Sequence, residues 1–424
     1  MLMRVVGIKE ENDYGVAEPA PDFHQEVENS KPGLGSDPST KSGGSRMKKK
    51  ARAGVMKPGY TIKAGVDLKR IGHYIKAFLG NYKFTAGSSG NPNKHEFWGG
   101  EQNNLPSFTI WGTFDYFEKV MVGAVLDTIK LECSDESMTC EAQFPYKTET
   151  THRLYDADDY ELIILEDDWE VMFYDIICSF GEDDIPGVVS SLTMDGKNNL
   201  NVENTIGFGS RAPQKKPMAQ DRDIELSVTS TLVEESVGLI QQAEYGEEGH
   251  EPSACKLFKI PFKIVINICE NTSDKLTILF PECTFVADYE ASGSDEIQVT
   301  YKLVAMGSGT ATMLDGTEIV TDMYALLEND MSEIGPSDNT PTATVNLTVK
   351  DESDTNVTGL TVKLHNRATE EDYTATYSTN KYVASSVPLG RYDVIITGRT
   401  IVKGAIVNVN ESTENFNVTV EDSD

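Results

Sequence analysis

The stretch Ile224-Glu225-Leu226-Ser227-Val228-Thr229-Ser230-Thr231 decides the fold class. Ile224, Leu226, Val228 and Ser230 recur at every second position, with Glu225, Ser227 and Thr229 between them. A period of two sends the two sets to opposite faces of a pleated strand, so one face meets a core and the other meets water. Moving outward, residues 258–269, 275–286 and 297–306 read as further strands, the first closed by Asn271-Thr272-Ser273-Asp274. Upstream, Phe108-Thr109-Ile110-Trp111-Gly112-Thr113-Phe114 is aromatic and β-branched. Two short apolar runs, Leu162-Ile163-Ile164-Leu165 and Val171-Met172-Phe173-Tyr174, flank Glu166-Asp167-Asp168-Trp169-Glu170.

One segment keeps a helical period. Over 67–80, Leu68, Ile71, Ile75, Phe78 and Leu79 fall on one stripe, with Asp67 placed to cap the start and Gly80 to end it. His73 on this segment reads as a core or surface residue. A short second helix is expected after Thr231, with Val233, Val237 and Ile240 on one side.

The expected organisation has four parts. Residues 1–60 form an extended N-terminal region and arm, rich in Gly, Ser and Pro over 31–45 and then basic at Arg46, Lys48, Lys49, Lys50 and Arg52. Residues 61–330 form a β domain and 331–341 a linker. Over 342–424 short alternating runs return, such as Val345, Leu347 and Val349, which predicts a small β-sandwich. The fold class is therefore mainly β: a β-barrel or β-sandwich domain with one or two short helices and long arms, followed by an Ig-like sandwich.

Net charge is −31, and its distribution is uneven. Residues 132–190 carry 17 acidic and 2 basic side chains, about half of the excess. Such a balance argues against a protein that grips nucleic-acid phosphates. A salt-adapted host would favour a uniform acidity and Arg over Lys, yet Lys numbers 27 and Arg 10. No apolar run reaches the ~18 residues of a membrane helix, and the first residues hold no apolar segment long enough for a secretory signal. The expectation is a chain made in the cytoplasm without membrane insertion. The six cysteines show no CxxC spacing and read as small buried hydrophobes, with Cys133 and Cys140 the one conceivable pair.

Motifs for chemistry are missing from the sequence. The six histidines form no HExxH or zinc spacing, and neither a GxSxG elbow nor a phosphate-cradling GxxxxGK loop occurs. Asp156-Ala157-Asp158-Asp159 resembles part of a calcium loop but lacks its Gly and distal Glu. The expectation is a non-enzyme with no cofactor and no metal.

Two resemblances carry the functional reading. Val6-Gly7-Ile8-Lys9-Glu10-Glu11-Asn12-Asp13-Tyr14-Gly15, the Gly/Ser/Pro-rich arm, Ser45-Arg46, Arg52 with Gly54, and the strand–helix after it resemble the start of tailed-virus major tail tube proteins. The later order of strand, short helix and strands through 297–306 is similar to that family as well. Val349-Lys350-Asp351, Val362-Lys363-Leu364 and Val387-Pro388-Leu389-Gly390-Arg391-Tyr392 resemble the regulatory-like β-sandwich found beside carboxypeptidases, a module without peptidase residues.

The first resemblance implies a structural virion protein. Subunits of such tubes close into rings, usually six-fold, whose strands continue one inner barrel, and the rings stack into a conduit for DNA ejection. Closure removes open sheet edges. An acidic bore repels phosphates within a Debye length of ~8–10 Å. Asp159, Glu161, Glu166, Asp168, Glu170 and Asp175 are the candidates for the bore or an acidic interface, and Arg46, Lys48, Lys49, Lys50 and Arg52 for an arm that docks on a neighbouring subunit. Implied partners are other copies of the chain, the tape measure, tail terminator and distal tail proteins, and genomic DNA in transit without tight binding. Residues 342–424 would decorate the outside of a non-contractile tail and touch a host surface weakly. The rival reading is a cell-surface adhesin or binding protein that recognises through the terminal sandwich.

Overall fold

A computed structural model describes residues 5–35, 39–41, 50–88, 90–101, 104–114, 116–134, 136–153, 169–181, 183–246, 258–268, 273–290, 297–336, 342–409 and 413–422. The chain is mainly β, with 56% of it in strands and two α-helices among the described residues. Among the described residues, no helix is long and apolar enough to cross a membrane.

A long sheet forms the wall of the body. From one end it runs Asp183–Asp184, Ile176–Phe180, Lys259–Asn267, Lys275–Glu290, Gln298–Ala305, Asp223–Thr231, Val189–Lys197, Thr128–Cys133, Thr139–Pro145, Gly59–Gly65 and Asn29–Gly33. All of these neighbours pair antiparallel. Tyr324–Asn329 branches from the first half of the 275–290 strand and leads to Asn93–Trp98 and Asn81–Thr85. The alternation read at 224–231 is realised: Ile224, Leu226, Val228 and Ser230 are buried.

A second sheet of five strands lies in the order Thr148–Arg153, Phe117–Ala124, Phe108–Phe114, Val5–Glu10 and Phe23–Glu26. The N-terminal region is thus largely part of the body. Val6 and Phe23 are fully buried, where the sequence reading expected an extended segment up to residue 60. A short apolar run such as Val5-Val6-Gly7-Ile8 carries too few residues to show its period.

Helix α1 (Ile71–Leu79) fills the space between the two sheets and is buried at every position. Asp67 Oδ1 accepts the amides of Lys69 (3.0 Å) and Arg70 (2.8 Å) and fixes the entry turn. Gly80, at φ 82°, ends the helix by donating its N–H to Lys76 O. Phe78 lies against Gly196 and Ile129 of the long sheet. Tyr60 crosses the core to the five-strand sheet, where a Cβ on Gly112 would lie 2.7 Å from its Oη. Because α1 has no water-facing side, its polar residues find partners inside. Lys76 Nζ sits 2.6 Å from Glu10 Oε2 and donates to Ile334 O at 2.7 Å. His73, a core residue, has Nε2 3.5 Å from Asp22 Oδ2. Ile334 itself is buried, so the first half of the expected linker packs on the body; 337–341 lie outside the described residues.

Helix α2 (Ser236–Tyr245) follows the 223–231 strand as expected but presents a different side. Leu239, Ile240 and Ala243 pack on the core, while Val237 is exposed. Cys133, Cys140, Cys178 and Cys283 are buried and free, which sets aside a Cys133–Cys140 pair.

The terminal sandwich has its own core, which includes Val345, Leu347, Leu364, Tyr392 and Val420. Its strands run Arg399–Lys403, Thr413–Asp422, Thr342–Asp351, Lys381–Pro388, Asp372–Ser378, Val362–Asn366, Gly390–Ile396 and Ile406–Val409. The 342–351 and 413–422 strands pair in parallel. Asp372–Ser378, Lys381–Pro388 and Arg399–Lys403 were not anticipated, because Ser, Thr and Lys blur their alternation.

Candidate assembly surfaces

Alternation gives the five-strand sheet two working faces. Val6, Ile8, Phe108, Ile110 and Met121 enter the main core. Trp111, Val120 and Val122 point the other way and meet Ala368 of the terminal sandwich. The layers therefore run sandwich, five-strand sheet, core with α1, long sheet. The water-facing side of the long sheet and the sandwich lie on opposite sides of the body.

That water-facing side is mostly polar across six consecutive strands, with Val304 an exposed apolar exception. One cross-strand row reads Lys302, Ser227, Thr193, Glu132, Thr139 and Gly65. The next reads Val304, Glu225, Asp195, Lys130, Glu141 and Lys63. Three of its lysines are matched by carboxylates: Lys130 with Glu132 at 2.8 Å, Lys63 with Glu28 at 2.8 Å, and Lys302 with Asp288. The Glu132 contact, with Asp195 and Glu141 nearby, raises the Lys130 pKa, and Glu28 does the same for Lys63. Lys63, Lys130 and Lys302 are thus already engaged.

The acidic candidates part company. Glu170 is exposed and lies over Gly65 on this polar face, where a Cβ on Gly65 would stand 2.5 Å from its Oε1. Asp175 is 3% exposed and accepts the Met172 amide at 3.0 Å. It holds a 3₁₀ turn and cannot face a bore. Asp159, Glu161, Glu166 and Asp168 lie outside the described residues, as do Arg46, Lys48 and Lys49. Lys50 and Arg52 fall in the short strand Lys50–Arg52, which pairs with Ser39–Lys41, and Arg52 is exposed.

The two ends of the long sheet differ. At one end Asp183–Asp184 pairs only Ser179 and Phe180, leaving the start of the 176–180 strand without a neighbour on that side among the described residues. Exposed apolar side chains gather in this region: Phe173, Tyr174, Ile177, Val188 and Val189. Phe173, Ile176, Cys178 and Val189 line one groove there. The other end is Asn29–Gly33, which carries Lys31 and Pro32.

A third surface was missed by the sequence reading. Glu118 of the five-strand sheet is fully buried beneath the sandwich, ion-paired to Arg391 and 3.9 Å from Arg367 Nη1. Arg391 Nη2 also donates to His24 Nε2 at 3.1 Å. Arg367 donates to Arg153 O (2.9 Å) and Asp393 Oδ1 (2.7 Å). Burial and the Arg391 and Arg70 charges push the His24 pKa down to about 3. The Pro388–Tyr392 step explains the geometry. Tyr392 enters the sandwich core and donates to Pro388 O (2.6 Å), so its neighbour Arg391 must point outward. A lone Arg beside a turn gives no sequence signal of this kind.

No protein-family model matches the chain, and no curated protein matches it in sequence.

Proposed function

We propose that the chain is a self-assembling structural protein of the tail tube kind, with the polar side of its long sheet lining a conduit and the terminal sandwich outside. The observation that supports this most is the long sheet itself. It is open, its two ends differ, and its water-facing side is mostly polar over six strands while its other side is core. The start of the 176–180 strand, which lacks a neighbour on one side among the described residues and lies beside exposed Ile177, Phe173 and Tyr174, is a template for another chain. Unlike ends join head to tail, which closes into a ring where the rotation permits.

The surface chemistry suits DNA in transit. Hydroxyl side chains and lysines already held by carboxylates offer phosphates few free cations, and binding by counterion release needs such cations. The opposite placement of the sandwich keeps it clear of the conduit.

Negative-stain microscopy and sedimentation of the purified full chain test the proposal. Rings or tubes of uniform diameter are the expected result. Monodisperse single subunits at all concentrations up to the solubility limit would overturn it.

A further inference from the structure

The seat of the terminal sandwich has an unusual composition for a joint between two domains. Each side has its own hydrophobic core, and the apolar contact between them is small: Trp111, Val120, Val122, Ala17 and Ala368. Its centre is charged. Glu118, fully buried, faces two guanidinium groups from the sandwich, and both of these are themselves buried, Arg367 at 1% and Arg391 at 7%. Breaking such a pair leaves an uncompensated buried charge, whereas forming it gains little over an apolar contact. The joint is therefore conditional on the charge state of its members.

His24 makes the condition sensitive to protons. A guanidinium can only donate, so the Nε2 that faces Arg391 must be the unprotonated nitrogen. A proton there would turn the acceptor into a donor aimed at a cation. The other charges around the seat are Arg367, Asp393 and Glu370 from the sandwich, His152 from the strand beside Glu118, and Arg70, held by Asp67, from the approach to α1.

We propose that the seat is a proton-operated clasp: it holds while His24 is neutral, and protonation of His24 lets the sandwich separate from the body with both domains folded. The sign follows from the histidine. Its pKa falls from 6.5 to about 3 in the seated form, so seating is fully supported above pH 6.5 and loses support as pH falls below it. Once released, His24 regains its ordinary value, and each pH unit below that point favours release about tenfold.

The test places a thiol inside the seat of the full-length chain by Ala368→Cys, a position 6% exposed between Trp111 and Val120. Its alkylation rate, divided by that of a small thiol at the same pH, reports opening, and peptide mass spectrometry separates it from the native cysteines. The buried Cys140, Cys178 and Cys283 in the same molecule report global unfolding. From pH 6.5 to 5 the protection of the introduced thiol is expected to fall roughly fifteenfold, with the three native thiols still protected. His24→Gln, which keeps an acceptor but takes no proton, is expected to abolish that fall. Glu118→Gln is expected to raise labelling at pH 7 about a hundredfold or more. Constant protection between pH 6.5 and 5, the same fall in His24→Gln, or exposure of the introduced thiol only in step with the native three would each overturn the clasp.

Discussion

Lys76 offers the sharpest test of how the body is held together. Its side chain is 9% exposed, its ammonium lies 2.6 Å from Glu10 Oε2, and it donates to the Ile334 carbonyl at 2.7 Å. The same nitrogen stands 4.5 Å from the centre of the Tyr82 ring. One cation thus ties α1 to the first strand and to the segment leading out of the body. Lys76→Met keeps the length and removes the charge. Glu10, 12% exposed at its side chain, then keeps a carboxylate with no counter-ion, and removing one partner of a buried pair costs about 3–5 kcal/mol. The Ile334 carbonyl also loses its donor, a penalty of about 1–3 kcal/mol. In Lys76→Met/Glu10→Leu the stranded charge is gone and only the carbonyl penalty remains. The double variant should therefore be more stable than Lys76→Met alone by about 2 kcal/mol or more. Urea denaturation followed by tryptophan fluorescence measures this, since Trp98 and Trp111 both belong to the body. A single-variant loss under about 1 kcal/mol, or a double variant as unstable as the sum of the two singles, would refute the reasoning.

Three further outcomes are expected. Glu132→Gln/Asp195→Asn/Glu141→Gln strips Lys130 of the carboxylates around it, so assembled tubes of this variant should retain short duplex DNA at low salt with a steep loss on adding salt, where unmodified tubes retain none; a gel-shift or co-sedimentation series reads this. Ile177→Lys places a charge in the exposed apolar group at the open strand, and sedimentation should show single subunits with unchanged circular dichroism; normal assembly would exclude that edge. Gly112→Ala brings a Cβ to 2.7 Å from Tyr60 Oη and should lower thermal stability by about 1–3 kcal/mol, largely restored by Tyr60→Phe.

How much was legible depended on how each residue's signal was carried. The 223–231 strand and α1 were readable because their buried positions repeat with a clean period, from Ile224 to Ser230 and from Leu68 to Leu79. Asp67 and Gly80 were readable as helix punctuation because capping is local chemistry. Val5–Glu10 was not, because a strand buried at five of its six positions has no alternation to detect. Asp175 was misassigned because a carboxylate that caps its own turn looks, in sequence, like any member of an acidic run. Glu118, Arg391 and His24 were invisible for a different reason. They lie 94 to 367 residues apart along the chain, and nothing in a single sequence marks residues that meet only after two domains have folded.

The buried seat also bears on what a row of these molecules would display. A module on a slack tether samples many directions, so its copies act one at a time. Here each sandwich is held at a fixed attitude by Arg367 and Arg391. Any symmetric array of the chain would repeat the same patch at a constant spacing, like teeth on a rack. A target surface with matching periodicity would then be met by many contacts at once, and individually feeble attractions would multiply into firm adhesion through effective concentration alone.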